Sequence, residues 1–312
     1  MMNIAVIGAG VAGLTCAHQL SNAGLNPVVF DKGSGIGGRV ATRRSGDLRF
    51  DHGAPYAQAI RADFSNMLHN LVDDGYAAQW IDGTEQDKIV GTPNMSSLLK
   101  GMAAGLDVRL GTPITAVVSC PEKGWRLRGA EKDFLAHHII ITVPAPQVAG
   151  ILGEKHPLAN QITNVKMSPI LTLMIAVNGK TPIASEPKQD DPLVSIIQNS
   201  GKPNRPQNGG SAWVAHAGLV FSLAHLEKDL PDITKEMLPL LCDCLNVTAD
   251  RITHAAAHRW RYGRVSEPLE QPFLRSSNGT MYLGGDWCVG PSIEDAWSSG
   301  TAIATDLLAK IL

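Results

Sequence analysis

The sequence predicts an α/β fold in which both ends of the chain build one parallel-sheet domain around an interleaved α+β domain. Three observations predict it. An apolar run near the start, "IAVIGAGVAGL", breaks into regularly spaced glycines and leads into a helix-like segment. A second glycine-rich step, "LGGDWCVG", lies near the other end. Between them, from about residue 151 to 253, strand-like segments alternate with long polar stretches.

The first unit is the most explicit. Residues 3–7 carry Ile4, Ala5, Val6 and Ile7 without polar interruption and read as a buried strand. Gly8, Gly10 and Gly13 follow in G-x-G-x-x-G spacing, with Val11 and Ala12 opening a helix whose Leu14, Ala17 and Leu20 share one face. Gly24 stops that helix, residues 27–30 return as a second strand, and Asp31 ends it. The first glycine permits a tight turn, the second lets backbone approach a pyrophosphate, and the third lets helix and strand pack closely. Free N–H groups at the helix start, including those of Val11 and Ala12, attract phosphate. Asp31 stands where an acid holds a ribose hydroxyl, with Lys32 beside it. Strand, helix, strand and acid together predict a Rossmann-type dinucleotide site.

Further along, residues 57–88 read as mixed helix and turn. A helix is expected at 96–104, strands at 107–110 and 114–119, and an apolar strand at 139–143 stopped by Pro144. His137 and His138 are adjacent, so in a strand they face opposite ways and do not share a metal. The segment "HLEKDLPDITKEMLPLLCDCL" is expected to be helical with breaks at Pro231 and Pro239. Antiparallel strands with helices on one face would make a lid over the site, and "HAAAHRWRYGRV" would carry the chain back. Near the end, residues 281–283 read as a strand, and Ser292 with Asp295 as a capping box opening a final helix. The expected division is 1–56, 89–150 and 254–312 for the cofactor domain, and 57–88 with 151–253 for the substrate domain.

Composition limits the partners. With 312 residues, 44% hydrophobic, 18% charged and a formal net charge of −2, there is ample core material and no basic field for nucleic acid or an anionic membrane. The five scattered cysteines fit a reducing compartment, and Cys242 with Cys244 lack the second pair a zinc site needs. We expect no metal. No apolar run reaches the roughly 18 residues of a membrane span, and no charged leader precedes the first strand. A cytoplasmic location is expected.

The residues after Asp31 point further. "DKGSGIGGRV" places Gly37, Gly38 and Arg39 in an arrangement that resembles the extended signature of the flavin amine-oxidase superfamily. Over nearly its full length the chain resembles bacterial renalase-like FAD-dependent oxidoreductases, through "VIGAGVAGL", "FDKGSGIGGRVATRR", "FDHGAPY", "NSGKPNRP", "WVAHAGLVFSLAHLE", "HRWRYG" and "LGGDWCVG…IEDAWSSG". The resemblance implies a Rossmann-type FAD-binding domain with an interleaved α+β substrate domain, in the topology of monoamine oxidase and p-hydroxybenzoate hydroxylase. It implies noncovalent FAD held by the glycines, Asp31 and Arg39, by His52, Gly53 and Ala54 beside the flavin ring, by the Val117 backbone at the adenine, by Gly285 and Asp286 at the ribityl or phosphate groups, and by Ile293 and Glu294 where the last helix begins. It implies an oxidase in which dihydronicotinamide isomers of NAD(P)H pass hydride to flavin N5 and the electrons go on to oxygen, giving hydrogen peroxide. No second G-x-G-x-x-G is present, so a nicotinamide would arrive as substrate.

Hydride leaving a dihydropyridine needs no general base, so aromatic walls and hydrogen-bond donors are the features to seek. Tyr56, Trp213, His216, Trp260 and Trp287 are the candidates, with Tyr262 packing between domains or against substrate. Arg259, Arg261 and Arg264 would meet a phosphate or form a solvated face. The chain departs from the renalase pattern at Pro55 and at Asp295, the latter placing a carboxylate near the flavin unless it caps its helix. An amine oxidase or desaturase of the same superfamily, or a flavin-bound redox-responsive protein with little turnover, are the alternatives.

Overall fold

A computed structural model describes the chain except residues 1, 85–86, 122–123, 182–186, 188–190, 207–209 and 312. Its centre is a six-stranded sheet in which Ile4–Ile7 pairs in parallel with Pro27–Phe30 on one side and His138–Ile141 on the other. Asp107–Arg109 extends the first side, and Met281–Leu283 the second. The short strand Leu274–Arg275 closes that edge in antiparallel sense. The central strand is buried throughout because both faces are covered, which is why it reads as an unbroken apolar run. Ile4 and Val6 face Leu14, Ala17 and Ile303 on one side; Ala5 and Ile7 face Ile139, Val148 and Leu283 on the other.

The helix Val11–Asn22 lies against the last helix, Ile293–Ile311, so the two ends of the chain share one layer. The approach is close: a Cβ added at Gly300 would stand 2.2 Å from the Ala12 carbonyl oxygen. The terminal helix opens as expected, with Ser292 accepting from the Asp295 N–H at 3.0 Å and Asp295 accepting from the Ser292 N–H at 2.9 Å.

The second domain is a four-stranded antiparallel sheet in the order Leu193–Gln198, Gly210–Ala217, Lys166–Asn178, Ile252–Glu267. One face packs on the helix Leu230–Leu245 through Leu173, Ile175, Trp213, Ile233 and Met237. The other carries Met174, Ala176, Ala212 and Val214 onto Phe50 of the cofactor domain. A three-stranded antiparallel sheet and two hairpins complete the fold. Parts of the polar stretches expected within 151–253 lie outside the described residues.

Three expectations need correction. Residues 254–267 do not return to the cofactor domain; they are the body of lid strand Ile252–Glu267, paired along its length with Lys166–Asn178. Residues 57–88 do not belong with the lid either. Phe64, Leu68, Leu71, Ala77 and Trp80 enter the same core as Leu14 and Leu20, and the Phe64 ring meets Trp297 at 5.5 Å. Helix Leu230–Leu245 runs without a break, because Pro231 falls in its first turn, where no N–H is needed, and Pro239 is accommodated within it.

The tight helix–helix seam sets a prediction. Gly300→Ala should cost about 1–3 kcal/mol of folding stability through overpacking against the Ala12 carbonyl. Denaturant titration of the apoprotein reads the loss directly; an unchanged midpoint would show that the seam yields without strain.

Candidate active site

The glycines at the start of the chain do separate jobs. Gly8 has φ +114°, in the region side chains avoid, and a Cβ there would also press on Thr142. A Cβ on Gly13 would stand 2.0 Å from the Gly8 carbonyl oxygen, so this glycine sets how closely helix and strand pack. A Cβ on Gly10 would meet nothing within 4 Å: the backbone there faces open space. The helix that begins at Val11 has no side-chain cap and no acid in its first turn. Its first N–H groups and positive dipole end therefore face that space unanswered, which suits a pyrophosphate. The same residues leave room for it and supply donors, so a dinucleotide fits the cradle.

Asp31 closes one side. Its carboxylate accepts the Ala9 N–H at 2.7 Å and the Gly33 N–H at 2.7 Å, which fixes it beside the glycine turn with lone pairs to spare for a ribose. The Lys32 side chain reaches Gln147 at 3.2 Å, which leaves its backbone beside the turn. The Asp31 carbonyl accepts the Thr112 N–H, and from there the chain enters Ile114–Cys120, an edge strand of the three-stranded sheet. Val117 buries its side chain in that sheet's core, leaving only the strand's unpaired backbone edge for an adenine.

Arg39 and Asp286 close the other side. They meet in a fork, Nη1 to Oδ2 at 2.6 Å and Nη2 to Oδ1 at 2.6 Å, across 247 residues of sequence. Asp286 is buried, while the Arg39 side chain keeps 29% of its surface exposed and can still reach a ligand. Gly38 has φ +49°, and a Cβ added there would reach Gly10 at 3.8 Å. Gly53 lies under the Arg39 carbonyl, where a Cβ would stand 1.9 Å away, and Ala54 donates to that carbonyl at 2.8 Å. Gly285 donates its N–H to Ser299 at 2.9 Å. The Glu294 side chain does not face a cofactor. It is buried, and its carboxylate holds the Ile60 and Arg61 N–H groups at 2.7 and 2.9 Å, leaving only backbone at Ile293 and Glu294 for a ligand. Asp295 is committed to its helix cap.

The aromatic candidates divide by face. Trp287 is fully buried beneath the site and donates to the Val143 carbonyl at 3.0 Å, so it touches neither substrate nor cofactor. Trp213 is turned into the lid core against the helix Leu230–Leu245 and bonds Thr181, so it is no substrate wall. His216 and Trp260 do face the cofactor domain, meeting the His52 carbonyl at 3.4 and 2.9 Å. Tyr56 is half-buried, 6.2 Å from the Trp80 ring. Arg261 forks onto the exposed Glu227 and Arg259 donates to the Lys228 carbonyl, the arrangement of a solvated face.

A group absent from the sequence-based candidates lies behind this wall. Asp51 is buried, and its carboxylate accepts from Thr42, the Met95 N–H, Lys202 and Arg205 at 2.6, 2.9, 2.9 and 2.7 Å. Burial alone would raise this carboxyl; Lys202 and Arg205, with Thr42 and Met95, outweigh it and hold it at about 2. Burial pulls Lys202 down to about 8 against the opposing pull of Asp51. The Lys202 ammonium lies 5.6 Å from the Trp80 ring, and Lys88, paired with Asp82, lies 4.9 Å from the Tyr56 ring. "FDHGAPY" and "NSGKPNRP" contain these charges, but nothing local in either says that they meet.

The chain matches the description "Flavin containing amine oxidoreductase" over residues 61–308, and an NAD(P)-binding Rossmann-like domain over residues 6–73. The first of these spans most of the sequence. The chain belongs to the flavin-containing amine oxidoreductase family. Among curated proteins, this flavin oxidoreductase is 34% identical over 68 residues to protoporphyrinogen oxidase 2 of Arabidopsis thaliana, a stretch that is 22% of this chain and 13% of that enzyme. Among solved structures it is similar to cyclohexylamine oxidase from Brevibacterium oxydans, with TM-score 0.74, 12% identity and 99% of each chain covered. It is also similar to wild-type putrescine oxidase bound to putrescine, with TM-score 0.69, 13% identity and the same coverage. These structural likenesses show the fold. The cofactor of this FAD-dependent oxidoreductase is FAD, and the open cradle at Gly10 suits it. Among the described residues, no helix is long and apolar enough to cross a membrane, and no cluster of side chains is arranged to hold a metal ion.

The cradle and the wall each set an expected outcome. Asp286→Asn leaves Arg39 with half its fork and should weaken FAD binding about tenfold or more, read as the FAD dissociation constant by fluorescence. Burial lowers His52, His216 and His258 to about 4 from the ordinary 6.5; His258 and Arg43 add to the effect at His52, Lys202 at His216, and Arg43 at His258. Between those values the unfolded chain binds protons that the folded chain refuses, so the histidines' contribution to stability is full above about pH 6.5 and is lost as the pH drops toward 4. Asp51 adds its own loss only below its ordinary 3.8. A melting-temperature series against pH checks this, and a flat profile between pH 6.5 and 4.5 would contradict it.

Proposed function

We propose that this FAD enzyme is a renalase-type oxidase. It takes hydride from dihydronicotinamide isomers of NAD(P)H, returns the aromatic nicotinamide, and delivers the electrons to oxygen as hydrogen peroxide. The single observation that carries the reading is the charge around Tyr56. The ammonium groups of Lys88 and Lys202 flank the Tyr56–Trp80 pair, and the neighbouring carboxylates Asp82 and Asp51 are already held by them and by Arg205. All three cations are buried behind the wall, and three cations against two carboxylates leave a net positive charge there, which disfavours a protonated amine in front of it. A dinucleotide brings a neutral dihydropyridine and negative phosphates, which suit the same wall. The histidines where the lid meets the cofactor domain, His52, His216 and His258, carry depressed basicity and stay neutral at pH 7, so they add no charge against either partner.

Bound FAD supplies the hydride acceptor and the route for electrons to oxygen. The chain's part is placement. Half-buried Tyr56 would offer one ring face to a planar substrate, with the buried Trp80 ring backing it at 6.2 Å and 53°. The lid sheet packs on the cofactor domain at Phe50 and the His52 carbonyl, where it would help keep water from the hydride path. No side chain is required as a base, because the donor ring gains aromaticity as it loses hydride.

An amine oxidase or desaturase is the second reading. It is favoured by the fold shared with the putrescine and cyclohexylamine oxidases and by the aromatic pair itself. A low-turnover redox-responsive protein has less support, because Asp295 is tied into its helix cap rather than free beside the cofactor.

Anaerobic stopped-flow mixing separates the three. Isomeric dihydro-NAD(P) should bleach the flavin within the mixing experiment, while ordinary NADH and simple amines should act at least about a hundredfold more slowly. Bleaching by an amine first would transfer the assignment to the second reading. Bleaching by none of these would support the third.

A further inference from the structure

We infer that Trp260 is a positioning residue that acts on the flavin site through the His52 carbonyl. Trp260 stands on lid strand Ile252–Glu267, on the face turned toward the cofactor domain. Its indole N–H donates to the His52 carbonyl at 2.9 Å. Its ring stacks on the His52 imidazole at 5.0 Å and 28°, and meets His258 edge-on at 4.4 Å. His216, from another lid strand, brings Nε2 to 3.4 Å from the same carbonyl and donates to it in the Nε2–H tautomer. One carbonyl of the cofactor domain is thus held by two side chains of the lid.

The neighbours of His52 in the chain carry that restraint to the cofactor site. Gly53 is wedged between the Arg39 carbonyl and the Trp260 ring: an added Cβ would stand 1.9 Å from the first and 3.4 Å from the second. Ala54 donates to Arg39, and Arg39 forks onto Asp286. The residue before, Asp51, is held by Lys202 and Arg205 of the lid loop. Residues 51–54 therefore take their position from the lid on one side and pass it to Arg39 on the other. Trp260 neither titrates nor presents a reactive atom. Its effect is to hold the peptide at His52–Gly53, and through it Arg39 and the approach to Tyr56. The inference rests on the family's flavin and does not depend on which reductant the enzyme uses.

The Trp260→Phe variant keeps a stacking ring and removes the donor. Hydrogen exchange of the Ala54 amide, measured on the FAD-bound protein, should speed roughly fivefold, the equivalent of one hydrogen bond. The visible circular dichroism of the bound flavin should change, and FAD release should quicken several-fold. The melting temperature should stay within a few degrees. A packing role alone would leave the visible dichroism untouched. Unchanged Ala54 exchange together with an unchanged flavin spectrum would overturn the inference. If Trp260→Phe does not fold, His216→Leu removes the second donor to the same carbonyl, and the same two measurements decide. Neither uses a reducing substrate, so the result stands apart from the test of the proposed reaction.

Discussion

The fork between Arg39 and Asp286 is the contact on which the rest of the molecule depends. It joins the loop after the first βαβ unit to the step before the last helix. A charge-assisted pair of this geometry is worth more than a single hydrogen bond, and its planarity fixes orientation as well as distance. With Arg39 set, its carbonyl holds Ala54 and leaves no room for a side chain at Gly53. With Asp286 set, the turn into Ile293–Ile311 brings that helix against Val11–Asn22. The glycine cradle, the turn at His52–Ala54 and the closing helix thus share one reference point.

The buried group at Asp51 is the lid's counterpart to that fork. Two cations and one carboxylate removed from water cost a great deal, and their mutual attraction repays it only when the lone pairs are filled. Here both carboxylate oxygens are filled, by a hydroxyl, a backbone amide, an ammonium and a guanidinium. A purely apolar joint would let the lid slide. A carboxylate with four directed donors allows one seating, and it sits one residue before the carbonyl that Trp260 and His216 hold.

Local chemistry is legible in the sequence, and distant pairing is not. Gly8, Gly10 and Gly13 announce their roles because each concerns its own few residues. The box at Ser292 and Asp295 is likewise contained in four positions, and its formation answers the concern that Asp295 would stand free beside the flavin. Arg39 and Asp286 each stand out in their own motifs, but nothing in either stretch says that they touch. Lys202 carries no such mark, because its partner lies 151 residues away. Strand parity sorts two of the aromatic-wall candidates: Trp213 and His216 are three apart on one strand, so they face opposite ways, and only His216 looks toward the cofactor domain. The domain boundary at 254 fails for a different reason. The lid strand Ile252–Glu267 is 16 residues long, well beyond ordinary strand length, so its second half reads as a return path.

The seam between Val11–Asn22 and Ile293–Ile311 couples loading of the cofactor to closure of the fold. The helix that carries the glycine turn packs so tightly on Gly300 that it tolerates little looseness in its partner. With the last helix undocked, Leu14, Ala17 and Leu20 lose the cover of Ile303, Ala304 and Leu307, and only half of the nucleotide cradle stands. Tethering is thus mutual: a nucleotide that bridges both halves would hold the seam shut, and a loosened seam would let it go.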